Sequence, residues 1–350
     1  GVSYTVGREA NKTYGETLNG YRVNYDQGTD LTNIDPYIIE GDKKSGILPY
    51  VDKKAPSKQG AKDKKVQAYC YRLTLTDDPE NRIKIQKPAN YNPLWYEVLA
   101  RQLKQNPAWE LQKIITLTPM PNRKTDTNHL DFFGASYDYA EAGYYERKKI
   151  EQLHKDYALG MLWFLENDPR VPEHIRKEMS DWGLPKDEFS DSGNFPYQIY
   201  VREARRMVGE YVMTEENVAK EDRVNADHSI GVGSYALDCH YVSKVIDKEG
   251  KLRYEGTIFK PTVPYPISYY SITPKKKDCS NLLVPVCLSS SHVAYSTIRM
   301  EPVYMVLGQS AAVAAAMAID NNVAVQDISY DNLAEKLVEL NQIIRTTKSK

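Results

Sequence analysis

A mixed architecture, part α/β and part α+β, is predicted by three stretches of this sequence. The apolar run Leu282–Leu288 reads as a buried parallel strand. Behind it come the hydroxyls Ser289, Ser290, Ser291, Ser296 and Thr297, with His292 among them, and then a helix from Val303 to Ile319 built mostly of Ala, Val and Met. Val66–Thr76 sets Gln67, Tyr69, Tyr71, Leu73 and Leu75 on one face and Ala68, Cys70, Arg72 and Thr74 on the other, the period of a strand. Between Ala142 and Asn167, Tyr145, Leu153, Tyr157, Met161, Leu162 and Leu165 recur at the spacing of one helix face.

The remaining elements follow in chain order. Residues 10–65 are polar, with turns at Asn19-Gly20, Gly28 and Gly41, and Lys53–Lys65 has the composition of a solvated loop. Arg72, inside the first strand, needs an anionic partner wherever it is buried. Pro93-Leu94 starts a helix that runs to about Lys104, and Ile114–Leu117 reads as a short strand. Asn122–His129 is a dense polar loop, suited either to function on a rigid scaffold or to an Asx-turn network satisfying its own amides. Asp168-Pro169 ends the long helix, and Pro172–Trp182 makes another short one. A strand-like Tyr197–Val201 precedes Arg202, Glu203, Arg205 and Arg206, where an arginine either grips a substrate carboxylate as a fork or makes a structural ion pair.

Further on, Asp238 and His240 alternate along a predicted strand and so share a face. Gly231-x-Gly233 just before them lacks the third glycine and the helical pattern of a dinucleotide fingerprint. Pro261–Pro274 is an extended segment whose prolines exclude a central strand. Tyr330–Ile344 is a last amphipathic helix, followed by a Lys-rich tail.

Composition narrows the function classes. The 46 Lys plus Arg balance 47 Asp plus Glu, which leaves no bulk charge to draw nucleic acid or an anionic membrane. No apolar run is long enough to predict a membrane span. Cys70, Cys239, Cys279 and Cys287 show no metal-ligand spacing, so no metal is expected, and Cys287 reads as a core thiol. The 27 tyrosines against 6 phenylalanines suit wet pockets and carbohydrate-like ligands, although half-buried packing uses the same residues.

The segments GVSYTVGREA, NRKTDTNH, YVREARRMVGEYVMT, GSYALDCHYV and STIRMEPVYMVLGQSA together resemble FAD-dependent oxidoreductases of the fumarate-reductase and glutathione-reductase type. The resemblance implies an FAD-binding α/β domain with an inserted mixed substrate domain. On that reading residues 1–200 are mainly the insert, 201–325 return to the FAD domain, and 326–350 are the last helix and tail. Relatives carry a G-x-G-x-x-G turn ahead of the matching region, and none occurs in these 350 residues. The resemblance therefore implies a C-terminal portion that binds FAD weakly or not at all by itself.

Residue by residue, the resemblance implies that Gly308, Gln309, Ser310 and Ala311 form a turn whose amides approach the flavin. Lys124 and Asn128 match a K-x-D-x-N-N pattern on the substrate side, with His129 replacing the second Asn, and Arg202 is the candidate fork for a substrate carboxylate. Asp238, His240, His292 and Arg299 are expected to face one catalytic cavity, an imidazole accepting the proton and Arg299 supplying fixed positive charge. The expected activity is hydride transfer between FAD and a small organic substrate. Some relatives carry a xanthan-lyase-like label beside polysaccharide-degrading systems, which suggests a sugar or sugar acid. A polysaccharide lyase and a non-catalytic carbohydrate-binding module remain the alternatives.

Overall fold

The computed structural model describes residues 1–22, 33–53, 58–219 and 224–346. The turn expected at Gly28, residues 54–57 of the Lys53–Lys65 loop and the lysines of the tail lie outside them.

In chain order, β1 (Tyr4–Thr5) and the single turn α1 (Asn11–Tyr14) come first. Next are β2 (Val51–Asp52), β3 (Leu73–Thr76), β4 (Arg82–Ile83), helix α2 (Glu97–Gln105), the turn α3 (Leu111–Ile114), β5 (Thr118–Met120) and β6 (Lys124–Thr127). Helices α4 (Tyr144–Asn167) and α5 (Glu173–Ser180) lead to β7 (Leu184–Pro185), β8 (Arg206–Met207) and the turn α6 (Glu215–Val218). A run of strands follows: β9 (Ser229–Gly233), β10 (Leu237–Cys239), β11 (Ser243–Ile246), β12 (Leu252–Glu255), β13 (Ile258–Lys260) and β14 (Tyr265–Ser268). The chain then enters α7 (His292–Ile298), α8 (Glu301–Asp320) and α9 (Tyr330–Glu339).

The strands make small sheets: β1–β8, β4–β7, β10–β13, β14–β9, β3–β6–β5 and β12–β11–β2. Among the described residues every ladder is antiparallel except β11 with β2. One apolar cluster packs α4, through Leu162, Phe164 and Leu165, with Leu73 and Leu75 of β3, Leu103 of α2 and Ile175 of α5. Another joins β9, β14, α7, α8 and α9 through Ile230, Ile267, Val293, Leu307 and Leu333. Mixed helices and small sheets are thus the observed class, as predicted.

Helix ends follow local chemistry. Ser291 caps α7 by accepting from the Ala294 amide at 3.1 Å, and Ser329 caps α9 through the Asn332 amide at 3.3 Å. Proline stands in the first turn of α8, where its missing N–H costs nothing. By length and composition α8 could cross a membrane. Its buried stripe, Val303, Leu307, Ser310, Ala314 and Ala318, packs against β9 and α9, and the opposite face is exposed.

Close packing fixes the approach of α4 to the residues ahead of α2. A Cβ at Gly160 would lie 2.2 Å from the Tyr96 hydroxyl, which is buried and donates to the Tyr157 carbonyl at 3.0 Å. Gly160→Ala is expected to cost about 1–3 kcal/mol by overpacking in urea unfolding. Gly308→Ala, where a Cβ meets open space, is expected to stabilise by up to about 1 kcal/mol through helix propensity. Equal effects of the two would refute the packing account.

Several expected elements are corrected. Of Val66–Thr76 only Leu73–Thr76 joins a ladder, because the amides upstream are claimed from elsewhere: Gln67 by Glu203, Ala68 by the Tyr241 carbonyl and Tyr69 by Ser136. Arg72 finds its acid in Asp126, at the surface. The strand expected at Ile114–Leu117 starts at Thr118 instead, and the middle of Asn122–His129 is β6, entered through left-handed Asn122 and Arg123. Tyr197–Val201 contributes a single bridge, Cys70 to Tyr200. Leu282–Leu288 is not a strand: Pro285 interrupts it, Leu282 and Val286 are exposed, and Cys287 is half-buried.

Candidate active site

Strand alternation at β10 turns Asp238 and His240 to one face and Cys239 to the other. His240 Nδ1 lies 2.6 Å from Oδ2 of Asp131, and its Nε2 lies 4.0 Å from Oδ1 of Asp238. Asp131 sits between buried Leu130 and Phe132, and a carboxylate there needs a cation. Arg202 supplies it: fully buried, it brings Nη1 to 2.8 Å from Asp131 Oδ1, an ionic contact without hydrogen-bond alignment. The same guanidinium donates to the Ala68 carbonyl and approaches Asn128 Oδ1 at 3.4 Å.

Burial by itself would raise the Asp131 pKa, but Arg202 and then His240 outweigh it and hold the carboxyl well below the usual range. An ionised Asp131 requires the proton on His240 Nδ1, which leaves Nε2 as the basic nitrogen.

These groups line a cavity of about 600 Å³. Aromatic walls come from Trp95, Trp109, Phe133, Tyr157 and Tyr254, and polar groups from Asn128, His129, Asp131, Asp238, His240 and Lys244. His129 has a left-handed backbone, φ 66°, and burial lowers its pKa, so at neutral pH it is uncharged.

The structure does not gather all four expected catalytic residues. Arg299 stands behind Asp238, its Nη2 2.6 Å from that residue's carbonyl and 4.0 Å from its carboxylate, outside the cavity lining. His292 lies across β10, with Nε2 3.3 Å from Cys239 Sγ and Nδ1 2.9 Å from Glu203. Burial lowers its pKa, but Glu203 and Cys239 outweigh that and raise it to about 10, so His292 is a buried imidazolium and not a proton acceptor. Lys124 is also elsewhere, held at 2.8 Å by Asp187 and 2.5 Å by Glu188.

The raised His292 pKa makes a signed prediction. Its contribution to stability is complete below the unfolded value near 6.5 and is lost as pH rises through about 10. The stability difference between the native protein and His292→Gln should therefore shrink from pH 7 to 10, with a slope approaching ~1.4 kcal/mol per pH unit. A difference independent of pH would show that His292 is neutral in the fold.

The family described as FAD dependent oxidoreductase matches residues 1–337. The chain belongs to that family. No curated protein and no solved structure matches it.

For an FAD-dependent oxidoreductase the flavin needs a flat apolar surface edged by polar atoms in want of partners. The outer face of α8 offers the surface: Gly308 meets open space, and Met305, Ala312 and Ala316 are exposed at helical spacing. Ser290 Oγ and Arg299 Nε are buried without hydrogen-bond partners in the segment that leads to α8. The exposed apolar face of α8 fits one side of a flat ring such as the flavin. The expected turn at Gly308–Ala311 is corrected, because α8 already starts at Glu301 and its interior amides serve the helix. Ser310 is spent on packing: its Oγ donates to the Ile230 carbonyl at 2.9 Å and accepts from Gln342 at 2.6 Å. Gly231 and Gly233 form no pyrophosphate cradle, since they lie within β9 and a Cβ on either would strike Val306 or Tyr265.

Sequence reading missed Asp131, the residue that holds His240. Its signal was present as a lone acid between Leu130 and Phe132, inside an apolar stretch.

Proposed function

We propose that this oxidoreductase moves a hydride between FAD and a small hydroxylated substrate, a sugar or sugar acid, with His240 as the proton acceptor. The reading rests on one observation: an imidazole aligned by an ionised, arginine-neutralised aspartate opens onto an aromatic cavity of about 600 Å³. That volume suits a small ligand, and aromatic walls pack on sugar faces while excluding water. Bound FAD supplies the hydride acceptor.

In the oxidative direction the substrate carbinol loses hydride from carbon and a proton from oxygen, leaving a carbonyl. His240 Nε2 takes that proton, and Asp131 stabilises the imidazolium that results. Arg202 positions Asp131 instead of gripping substrate, Asn128 accepts from Arg202 and lines the cavity, and Asp238 Oδ1 lies 4.0 Å from Nε2. Gly308 and the outer face of α8 would hold the flavin ring when it is bound, with Gln309 on the same exposed face. Residues 1–200 act as the substrate-binding portion, 201–325 as FAD-domain segments, and 326–350 as a supporting helix and tail.

The test is a flavin spectrum of the full-length protein, followed by anaerobic mixing with a panel of sugars and sugar acids. At least one is expected to bleach the bound flavin. A full-length protein that neither carries FAD nor can be reconstituted with it overturns the reading.

A further inference from the structure

The proposed reaction leaves two lysines of the cavity lining unused, Lys113, which sits over the Trp109 ring, and Lys244. Lys244 lies on β11, paired across the ladder with Tyr254 and, on the other side, with Val51. It is 7% exposed and lines the same cavity as His240 and Asp131. Among the described residues its ammonium makes no hydrogen bond and no ion pair; its recorded contact is the Phe133 ring, 5.9 Å away at the outer limit of a cation–π interaction.

The acid facing it, Asp52 on neighbouring β2, spends its carboxylate on Lys65. Asp131 is committed to Arg202 and His240. Burial, offset only in part by Asp52, lowers Lys244 to about 8, so the amine is still mainly protonated at neutral pH. A buried ammonium without an anion is costly, and a ligand that brings the anion recovers that cost on binding.

We propose that Lys244 anchors a carboxylate of the substrate, so that the cavity selects a sugar-sized hydroxy acid, of the aldonic or uronic class, over a neutral sugar. This rests on the reading of the cavity as a substrate site given above. The ligand then lies with its anionic end on Lys244 and a hydroxyl toward His240.

The experiment titrates the full-length FAD-loaded protein with D-gluconate, D-glucuronate and D-glucose, following Trp95 and Trp109 fluorescence or heat. The native protein is expected to bind at least one acid about 10- to 100-fold more tightly than glucose, the range of a charge-assisted hydrogen bond. Lys244→Met should erase that preference and leave glucose affinity unchanged, and Lys244→Arg should keep part of it. Lys244→Gln serves if the Met variant does not fold, as judged by its melting curve. Equal binding of acids and glucose by the native protein, or an acid preference that survives in the variants, overturns the role of Lys244 and leaves the cavity reading intact. Binding of none of the three sinks the cavity reading and this inference with it.

Discussion

Reduction of the bound flavin by substrate is expected to slow about 10²–10⁴-fold in His240→Ala, with FAD content unchanged, because the variant loses its general base. The expectation follows from geometry: Nδ1 is held at 2.6 Å by Asp131, so Nε2 faces the cavity as the free base. Asp131→Asn should slow the same step about 10–100-fold, the effect of losing an orienting partner, and should distort its pH profile. His292→Gln is the informative contrast. Its imidazolium is sealed behind β10 by Glu203 and Cys239, so the variant should lose stability without losing the reduction step once folded. A rate in His240→Ala equal to that of the native protein would remove His240 from the chemistry, whatever its neighbours.

Arg206→Leu should lower conformational stability by about 3–5 kcal/mol in chemical denaturation, the usual cost of breaking a buried ion network at one member. Arg206 is fully buried and donates to Ser290 O at 3.1 Å, Glu203 at 3.0 Å, Glu9 at 2.7 Å and Gly7 O at 2.6 Å. Without it, Glu9 is left as a buried charge with no cation, and Glu203 keeps only His292.

The network also ties the first residues of the chain to α7, since Glu9 accepts from the His292 amide and Glu16 from Ser291. Burial raises the Glu9 pKa, but Arg206 and the hydrogen bonds around it outweigh that and depress it to about 2. Its contribution is present above the unfolded value near 4.5 and is lost as pH falls through about 2. Arg206→Leu should therefore unfold at a higher pH on the acid side than the native protein. Pairing Arg206→Leu with Glu9→Gln should recover part of the loss, since Glu9 is then no longer an unpaired charge while Glu203 keeps the His292 imidazolium. No recovery would mean that packing, and not charge, is what the arginine provides.

Both predictions depend on partners that the sequence does not reveal, although much else was legible in it. The long helix α4 and its stop at Asp168, the course of α8, and the shared face of Asp238 and His240 could be read from residues a few positions apart. Periodicity and capping are written locally, because 3.6-residue and two-residue repeats put near neighbours on one surface. The family itself was legible for the same reason, through short segments such as GSYALDCHYV and GQSA.

Tertiary structure alone decided the chemistry of each charge. Asp131 is 109 residues from His240, and Arg202 turns out to neutralise that aspartate instead of presenting a fork to substrate. His292 and His240 look equivalent in sequence, yet β10 separates them, one made a structural cation by Glu203 and the other left as a base at a cavity wall. Leu282–Leu288 has the composition of a strand and becomes none, because a ladder needs a neighbour with free amides and carbonyls, and Pro285 withdraws a donor of its own. A side chain's protonation state is set by desolvation and by charges within a few ångströms, and those neighbours come from segments brought together only when the chain packs.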